Sequence, residues 1–241
     1  MGVAVTKDCQ GPTVGAVSFL PGRGPVFYAS LPRDSEARQR LVATLWDHFA
    51  ATENPGWQGS QAFSSAALPI QVVRGLLGRP RLRRGGHPGP AISFSEGGGK
   101  VWAALCGDGS DIGIDLAGAD EFSGAYPFLR VFHPRELEQA LPLAGGELAA
   151  AAALLWSVKE AVVKALGCGF HLVEPRQITV CPAVAGAAGG DGGQTFTVDL
   201  SGKTRERFPL ADGRFLRVRS FPQRRLWLSI AHLQRRPTDH A

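Results

Sequence analysis

Trp156, Glu160 and Lys164 follow one another at four-residue spacing in LLWSVKEAVVKALGCGF (Leu154 to Phe170), so a helix here carries all three along one side. Lys159, Glu160 and Lys164 are the only charges between Ala149 and Leu166, in a run otherwise dominated by Ala, Leu and Val. A surface helix spreads its charges over a wide polar face; this one gathers them in one patch. A second acid stands in DIGIDLAG (Asp111 to Gly118). There Asp115 closes an apolar run that reads as a buried strand, and its carboxylate is expected to emerge at the strand's end. Two carboxylates delivered by buried elements are costly unless a cation offsets them. Mg2+ suits such a pair, because it takes one or two protein carboxylates and fills its other positions with water and substrate phosphate. Lys159 and Lys164 flank the site and are suited to neutralising further phosphate oxygens. The same spacing also allows a plainer account, in which Glu160 and Lys164 form a weak i,i+4 pair and Asp115 caps a turn.

The elements that must hold these groups can be read from periodicity. Ala149 to Leu166 favours helix, and Gly167 is its expected stop, since glycine enters the left-handed conformation without a Cβ clash. Helical segments are expected from Pro134 to Leu166. Ala91 to Ser95, Val101 to Cys106 and Asp111 to Leu116 read as short strands separated by the glycine turns Gly97 to Gly99 and Gly107 to Gly109. Upstream, Thr13 to Leu20 and Pro25 to Ala29 read as strands. Asp34 reads as the N-cap of a helix through Leu41, Leu45 and Phe49, and Leu68 to Leu77 as a second helix closed by Gly78. Downstream, strands are expected at Gln177 to Val180, Gln194 to Leu200, Phe215 to Ser220 and Leu226 to Leu233. Asn54 to Ser65 and Ala183 to Gly193 read as loops. A five-residue echo links Val72–Leu76 to Val162–Leu166 and hints at two similar halves.

The 241 residues suffice for one large domain or two small ones. No window approaches the roughly 18 uninterrupted apolar residues of a membrane span, and the N-terminus lacks the basic and apolar regions of a secretion signal. A cytoplasmic location without membrane attachment is expected, although Gly2 and Thr6 fit the short myristoylation pattern. Cys9, Cys106, Cys168 and Cys181 form no CxxC pair, so zinc and dithiol chemistry have no support. Neither do the six histidines show metal-ligand spacing. The net charge is +5 and arginine far outnumbers lysine, concentrated in GRPRLRRGG (Gly78 to Gly86) and RFLRVRSFPQRR (Arg214 to Arg225). Arginine's planar fork suits phosphate. Aromatics are not interleaved with these arginines as stacking platforms, which argues against nucleic acid and leaves a phosphorylated small molecule or an acidic protein.

Taken together, Ile112-Gly113-Ile114-Asp115 and, some forty residues on, Trp156-Ser157-Val158-Lys159-Glu160-Ala161-Val162-Val163-Lys164 resemble the 4′-phosphopantetheinyl transferase superfamily. Its signature is a [VI]G[IV]D strand followed by [FW][SCT]xKE[AS]xxK on a helix. Gly78-Arg79-Pro80 is similar to the family's G[KR]P, and FHPRELEQ (Phe132 to Gln139) to its FxxxE segment. The length fits the surfactin-type branch, whose single chain holds two pseudo-equivalent halves. The resemblance implies an α+β fold of two pseudo-symmetric halves, each a small, mainly antiparallel sheet packed with helices. Residues 1–110 would form the coenzyme-binding half and residues 111–241 the half with the metal and catalytic motifs. It also implies transfer of the phosphopantetheine arm from coenzyme A to a serine of an apo acyl or peptidyl carrier protein by a monomer. On this resemblance Asp115 and Glu160 are Mg2+ ligands and Glu160 is also the base. Lys164 steadies the leaving phosphate, Lys159 contacts the pyrophosphate, and Arg79 and Ser95 contact the coenzyme.

Two positions depart from the pattern. Ala117 stands where a third metal-binding glutamate is common, and Glu96 stands in SFSEGG (Ser93 to Gly98) where the family places a histidine toward the 3′-phosphate. Glu96 is expected either to face the nucleotide or to swing inward and supply the carboxylate absent at Ala117. Both departures also leave open a non-catalytic homologue that binds coenzyme A or a carrier protein.

Overall fold

The computed structural model describes residues 12–19, 24–52, 69–107, 109–124, 126–183, 192–209 and 216–234. The chain runs β1 (Gly15–Val17), β2 (Val26–Pro32), α1 (Ala37–Thr52), β3 (Ile70–Arg74), β4 (Pro80–Arg84), β5 (His87–Pro88), β6 (Ala91–Gly97), β7 (Lys100–Cys106) and β8 (Asp111–Gly118). It continues through α2 (Phe128–Val131), α3 (Pro134–Ala140), α4 (Leu148–Leu166), β9 (Ile178–Pro182), β10 (Gln194–Leu200), α5 (Gly202–Arg207), β11 (Leu216–Gln223) and β12 (Leu226–Leu233). All pairings are antiparallel: a four-stranded sheet β1-β2-β7-β6, a five-stranded sheet β8-β12-β11-β10-β9, and a small sheet β3-β4-β5. The protein is an α+β fold.

Strand alternation sorts the side chains into four layers. Phe27, Ala29, Ile92, Val101, Ala103 and Leu105 leave one face of the four-stranded sheet and meet Leu41, Leu45, Trp46 and Phe49 of α1. From the other face Val26, Trp102, Ala104 and Cys106 meet Ile112, Ile114, Leu116, Leu228 and Ile230 of the five-stranded sheet. The far face of that sheet is covered by α4, whose alanines, leucines and valines pack on Ala117, Val218, Ala231 and Leu233. The order is helix, sheet, sheet, helix. Within it α4 is pinned by hydroxyls: Ser157 Oγ lies 2.7 Å from Ser229 Oγ, which lies 2.7 Å from Ser220 Oγ. Among the described residues no helix is long and apolar enough to cross a membrane.

The segment expected as a helix over Leu68 to Leu77 is instead strand β3, hydrogen-bonded to β4, with only a short helical turn at Leu76–Gly78. Ile70, Val72 and Val73 are β-branched or pair well on a pleat, and Gly75 N–H closes onto Arg79 C=O at 2.7 Å to fix the hairpin. The echo between Val72–Leu76 and Val162–Leu166 therefore has no structural counterpart: one copy begins in a strand and the other lies in a helix. The short helix α5 was not expected from the sequence. The loop at Asn54 to Ser65, most of that at Ala183 to Gly193, and Gly2, Thr6 and Cys9 lie outside the described residues.

Candidate active site

Asp115 sits in the middle of β8, opposite Ser229 of β12, rather than at a strand end, because ladder pairing continues to Gly118. Its side chain shares a face with Gly113 and Ala117, the face that meets α4. Gly113 makes the approach possible: a Cβ there would stand 1.9 Å from the Ala161 carbonyl oxygen. With β8 and α4 this close, Glu160 and Lys164 come alongside Asp115. Lys164 Nζ donates to Asp115 Oδ1 at 2.6 Å, to Ile114 C=O at 3.0 Å and to Phe94 C=O at 3.3 Å. Ser95 Oγ, reaching across from β6, donates to the same Oδ1 at 2.9 Å. The helical side that holds Trp156, Glu160 and Lys164 is the partly exposed side of an otherwise buried helix. Trp156 belongs to the packing, stacked on Phe170 with ring centroids 4.8 Å apart.

The electrostatics follow from burial. Desolvation pushes the Asp115 carboxyl above its ordinary range, while the charge of Lys164 and the bonds from Lys164 and Ser95 pull it back. Glu160 is pushed up to about 7, first by burial and next by the negative charge of Asp115, with Glu121 adding to the push and Lys164 opposing it. A buried acid beside a partly buried one whose carboxyl it pushes up fits a hard divalent cation, which accepts oxygen ligands and relieves the repulsion at Glu160. Asp115 and Glu160 would hold it. Among the described residues no cluster of three or more His, Cys, Asp and Glu has the spacing of a metal cage, so water and ligand oxygens would supply the other positions.

Lys159 is placed elsewhere. It is fully buried, and its ammonium donates to Glu136 Oε2 at 3.0 Å and to the carbonyls of Ile178, Pro175 and Val131 at 2.8, 2.9 and 3.2 Å. Burial lowers its pKa, and Glu136 holds it up. With its three donors shared among four acceptors, Lys159 is a structural clamp joining α4 to α3 and β9. The expectation that it touches a pyrophosphate is corrected: adjacent residues on a helix point about 100° apart, and Lys159 points into the core.

Arg79 lies just before β4, its guanidinium paired with Asp111 at the start of β8 and packed beside Gly167. It lines a cavity of about 1050 Å3 that runs between α1, β3, β6 and the C-terminal end of α4, with Arg38, Arg74, Phe94 and Lys164 also in its wall. Cys168 lines the same cavity, but burial raises its thiol to about 11, so it stays protonated and unreactive.

Glu96 emerges from β6 on the face opposite Ser95. Its carboxylate pairs with Arg33 Nε at 3.1 Å and Arg38 Nη2 at 2.9 Å. The expectation that it swings inward to replace the acid missing at Ala117 is corrected, because strand alternation turns it away from Asp115. Ala117 itself is buried against α4. The acid that sequence reading missed is Glu121, whose Oε1 accepts from Gly118 N–H at 2.8 Å and whose charge reaches Glu160. Its signal was the three-residue capping spacing from Gly118.

Two carboxylates and a lysine thus stand together beside a cavity with arginines in its wall. Residues 111–207, the segment that holds Asp115, Glu160 and Lys164, match the family model ACPS, the 4′-phosphopantetheinyl transferase superfamily. Among solved structures, an ACPS–CoA complex from Chronobacterium ammoniagenes is 21% identical, with a TM-score of 0.41, covering 53% of this chain and 98% of its own. The apo-ACPS structure from the same organism is 22% identical at a TM-score of 0.41, covering 52% of this chain and 98% of its own. No curated protein matches the chain.

Proposed function

We propose that this protein is a 4′-phosphopantetheinyl transferase that moves the phosphopantetheine arm of coenzyme A onto a serine of an acyl or peptidyl carrier protein. The observation that carries the reading is the convergence of Asp115, Glu160 and Lys164 in a segment matching the superfamily, beside a cavity large enough for a nucleotide. In this reading residues 1–110 form the coenzyme side and residues 111–241 carry the chemistry. A Mg2+ ion held by Asp115 and Glu160 would neutralise the pyrophosphate of the coenzyme.

The chain's own residues do the rest. The carrier serine forms a new O–P bond at the β-phosphate as the bond to the departing 3′,5′-ADP breaks. Glu160 takes the serine proton, directly or through water. Lys164, already turned toward Asp115, offers its ammonium to the charge that grows on the leaving phosphate. Arg79 and Ser95 contact the coenzyme, and Asp111 holds the Arg79 fork in place. A cytoplasmic monomer fits this work, since it needs neither membrane nor nucleic acid. The test is incubation with coenzyme A, Mg2+ and a panel of apo-carrier proteins, read by mass spectrometry. Addition of the phosphopantetheine mass to the carrier serine supports the reading. Tight coenzyme binding with no transfer to any carrier would favour a non-catalytic coenzyme binder.

A further inference from the structure

Coenzyme A carries a pyrophosphate, where the bond breaks, and a separate 3′-phosphomonoester on the ribose. Asp115, Glu160 and Lys164 serve the first, and the second must fall further along the cavity. Strand β6 divides the two regions. Ser95 points to Asp115 on one face, while Phe94 and Glu96 leave the other face toward α1. On that face the Arg38 guanidinium carbon lies 5.6 Å from the centroid of the Phe94 ring, and both residues line the cavity. Glu96 engages Arg38 through Nη2 alone, at 2.9 Å. A guanidinium has five N–H donors in a planar fork, so this single contact and the ring beneath it orient the fork without using it up. The Arg38 side chain remains 54% exposed, against 11% for Arg79, which Asp111 holds. Arg33 and Arg38 together outweigh the single charge of Glu96, so the trio carries net positive charge, and Arg38 is its member in the cavity wall.

We infer that Arg38 binds the 3′-phosphomonoester of the coenzyme, with Glu96 and Phe94 as the residues that position its guanidinium; this rests on the coenzyme reading above. The acid at position 96 then acts through an arginine, where the family's pattern has a histidine that meets the phosphate itself.

The test is calorimetric titration of the full chain with coenzyme A and with dephospho-coenzyme A, which lacks only the 3′-phosphate. The variants are Arg38→Ala, Glu96→Ala and Glu96→Gln, with Arg40→Ala as a control that removes the same charge from the same helix. Wild type and Arg40→Ala should prefer coenzyme A by at least about tenfold, the worth of a charge-assisted contact. In Arg38→Ala the two affinities should converge. Glu96→Ala should lose part of the preference, and Glu96→Gln, which keeps an acceptor for Arg38, should stay near wild type. A general packing defect would weaken both ligands together and leave their ratio unchanged. Retention of the preference by Arg38→Ala, or equal affinities in wild type, overturns the assignment with coenzyme binding intact. Tighter coenzyme binding by Glu96→Ala would show the carboxylate to be a competitor and overturn its positioning role. A wild type that binds neither ligand overturns the coenzyme reading instead.

Discussion

Each half of the molecule joins one helix to one strand by an ion pair, Lys164–Asp115 between α4 and β8 and Arg38–Glu96 between α1 and β6. The first pair is largely buried, with side chains 28% and 8% exposed; the second lies open, at 54% and 32%. Burial makes the same chemistry behave differently. In the first pair desolvation works against Asp115, and Ser95 and two backbone carbonyls are needed to satisfy the oxygen and ammonium that meet there. Removing one member of such a pair leaves the other uncompensated, at a cost of about 3–5 kcal/mol. An exposed pair is worth about 0–1 kcal/mol, since water replaces either partner. The C-terminal seam therefore tolerates little change, while the N-terminal seam can lose either partner at little cost.

The sharpest way to test that contrast is to remove the acids of the buried seam. Asp115→Ala and Glu160→Ala should each cost about 3 kcal/mol or more of transition-state stabilisation, seen as a drop of over about a hundredfold in kcat/KM with coenzyme A and carrier protein. Normal turnover in both would break the assignment of these acids.

Next in size is the contrast between neighbouring lysines. Lys159→Met should lower stability by about 3 kcal/mol or more in a urea melt, because Glu136 is left buried without its cation. Lys164→Met, which also strands a buried carboxylate, should lower turnover more than Lys159→Met does. If Lys159→Met unfolded like wild type yet lost activity, Lys159 would have to reach the ligand after all.

Acidity separates the halves as well. The Glu160 carboxyl rises from 4.5 to about 7 on folding, so its contribution to stability is full below pH 4.5 and is lost as pH climbs through about 7. In metal-free buffer Glu160→Gln should therefore melt above wild type at pH 8, and the gap should close toward pH 4.5. Added Mg2+ should raise the wild-type melting temperature and leave that of the variant where it was. A gap that persists unchanged at low pH would mean that packing, not ionisation, produces it.

The smallest effect belongs to the open pair. Glu96→Ala should change unfolding free energy by no more than about 1 kcal/mol in the same urea melts. A loss as large as that of Lys159→Met would show that the two seams are equally demanding and remove the basis of the comparison.

Much of the scaffold was legible because its signals are local. Strands β6, β7 and β8 stood out as short apolar runs between glycine turns, and β10 and β12 coincide with the runs expected at Gln194 to Leu200 and Leu226 to Leu233. Helix α4 showed its period and its glycine stop, and Gly167 does adopt φ 78°. Strand β3 was misread because a short apolar stretch fits helix and strand alike, and its partner β4 lies across a turn of irregular conformation. Asp115 was expected at a strand end, since nothing near it shows that β12 will pair as far as Gly118.

Within the site, the sequence by itself determined which side chains share a face: Glu160 with Lys164 four residues on, and Asp115 with Gly113 and Ala117. Those relations follow from the 3.6-residue and two-residue periods of the backbone, which need no knowledge of the rest of the chain. Only the tertiary structure decided what each face would meet. It sent Lys159 into a cage of carbonyls with Glu136, and it gave Asp115 the ammonium of Lys164. It brought Glu121 within reach of Glu160 and turned Glu96 toward two arginines of the α1 region. The charge state and role of an ionisable group depend on desolvation and on nearby charges, and both are set by contacts between residues tens of positions apart in the chain.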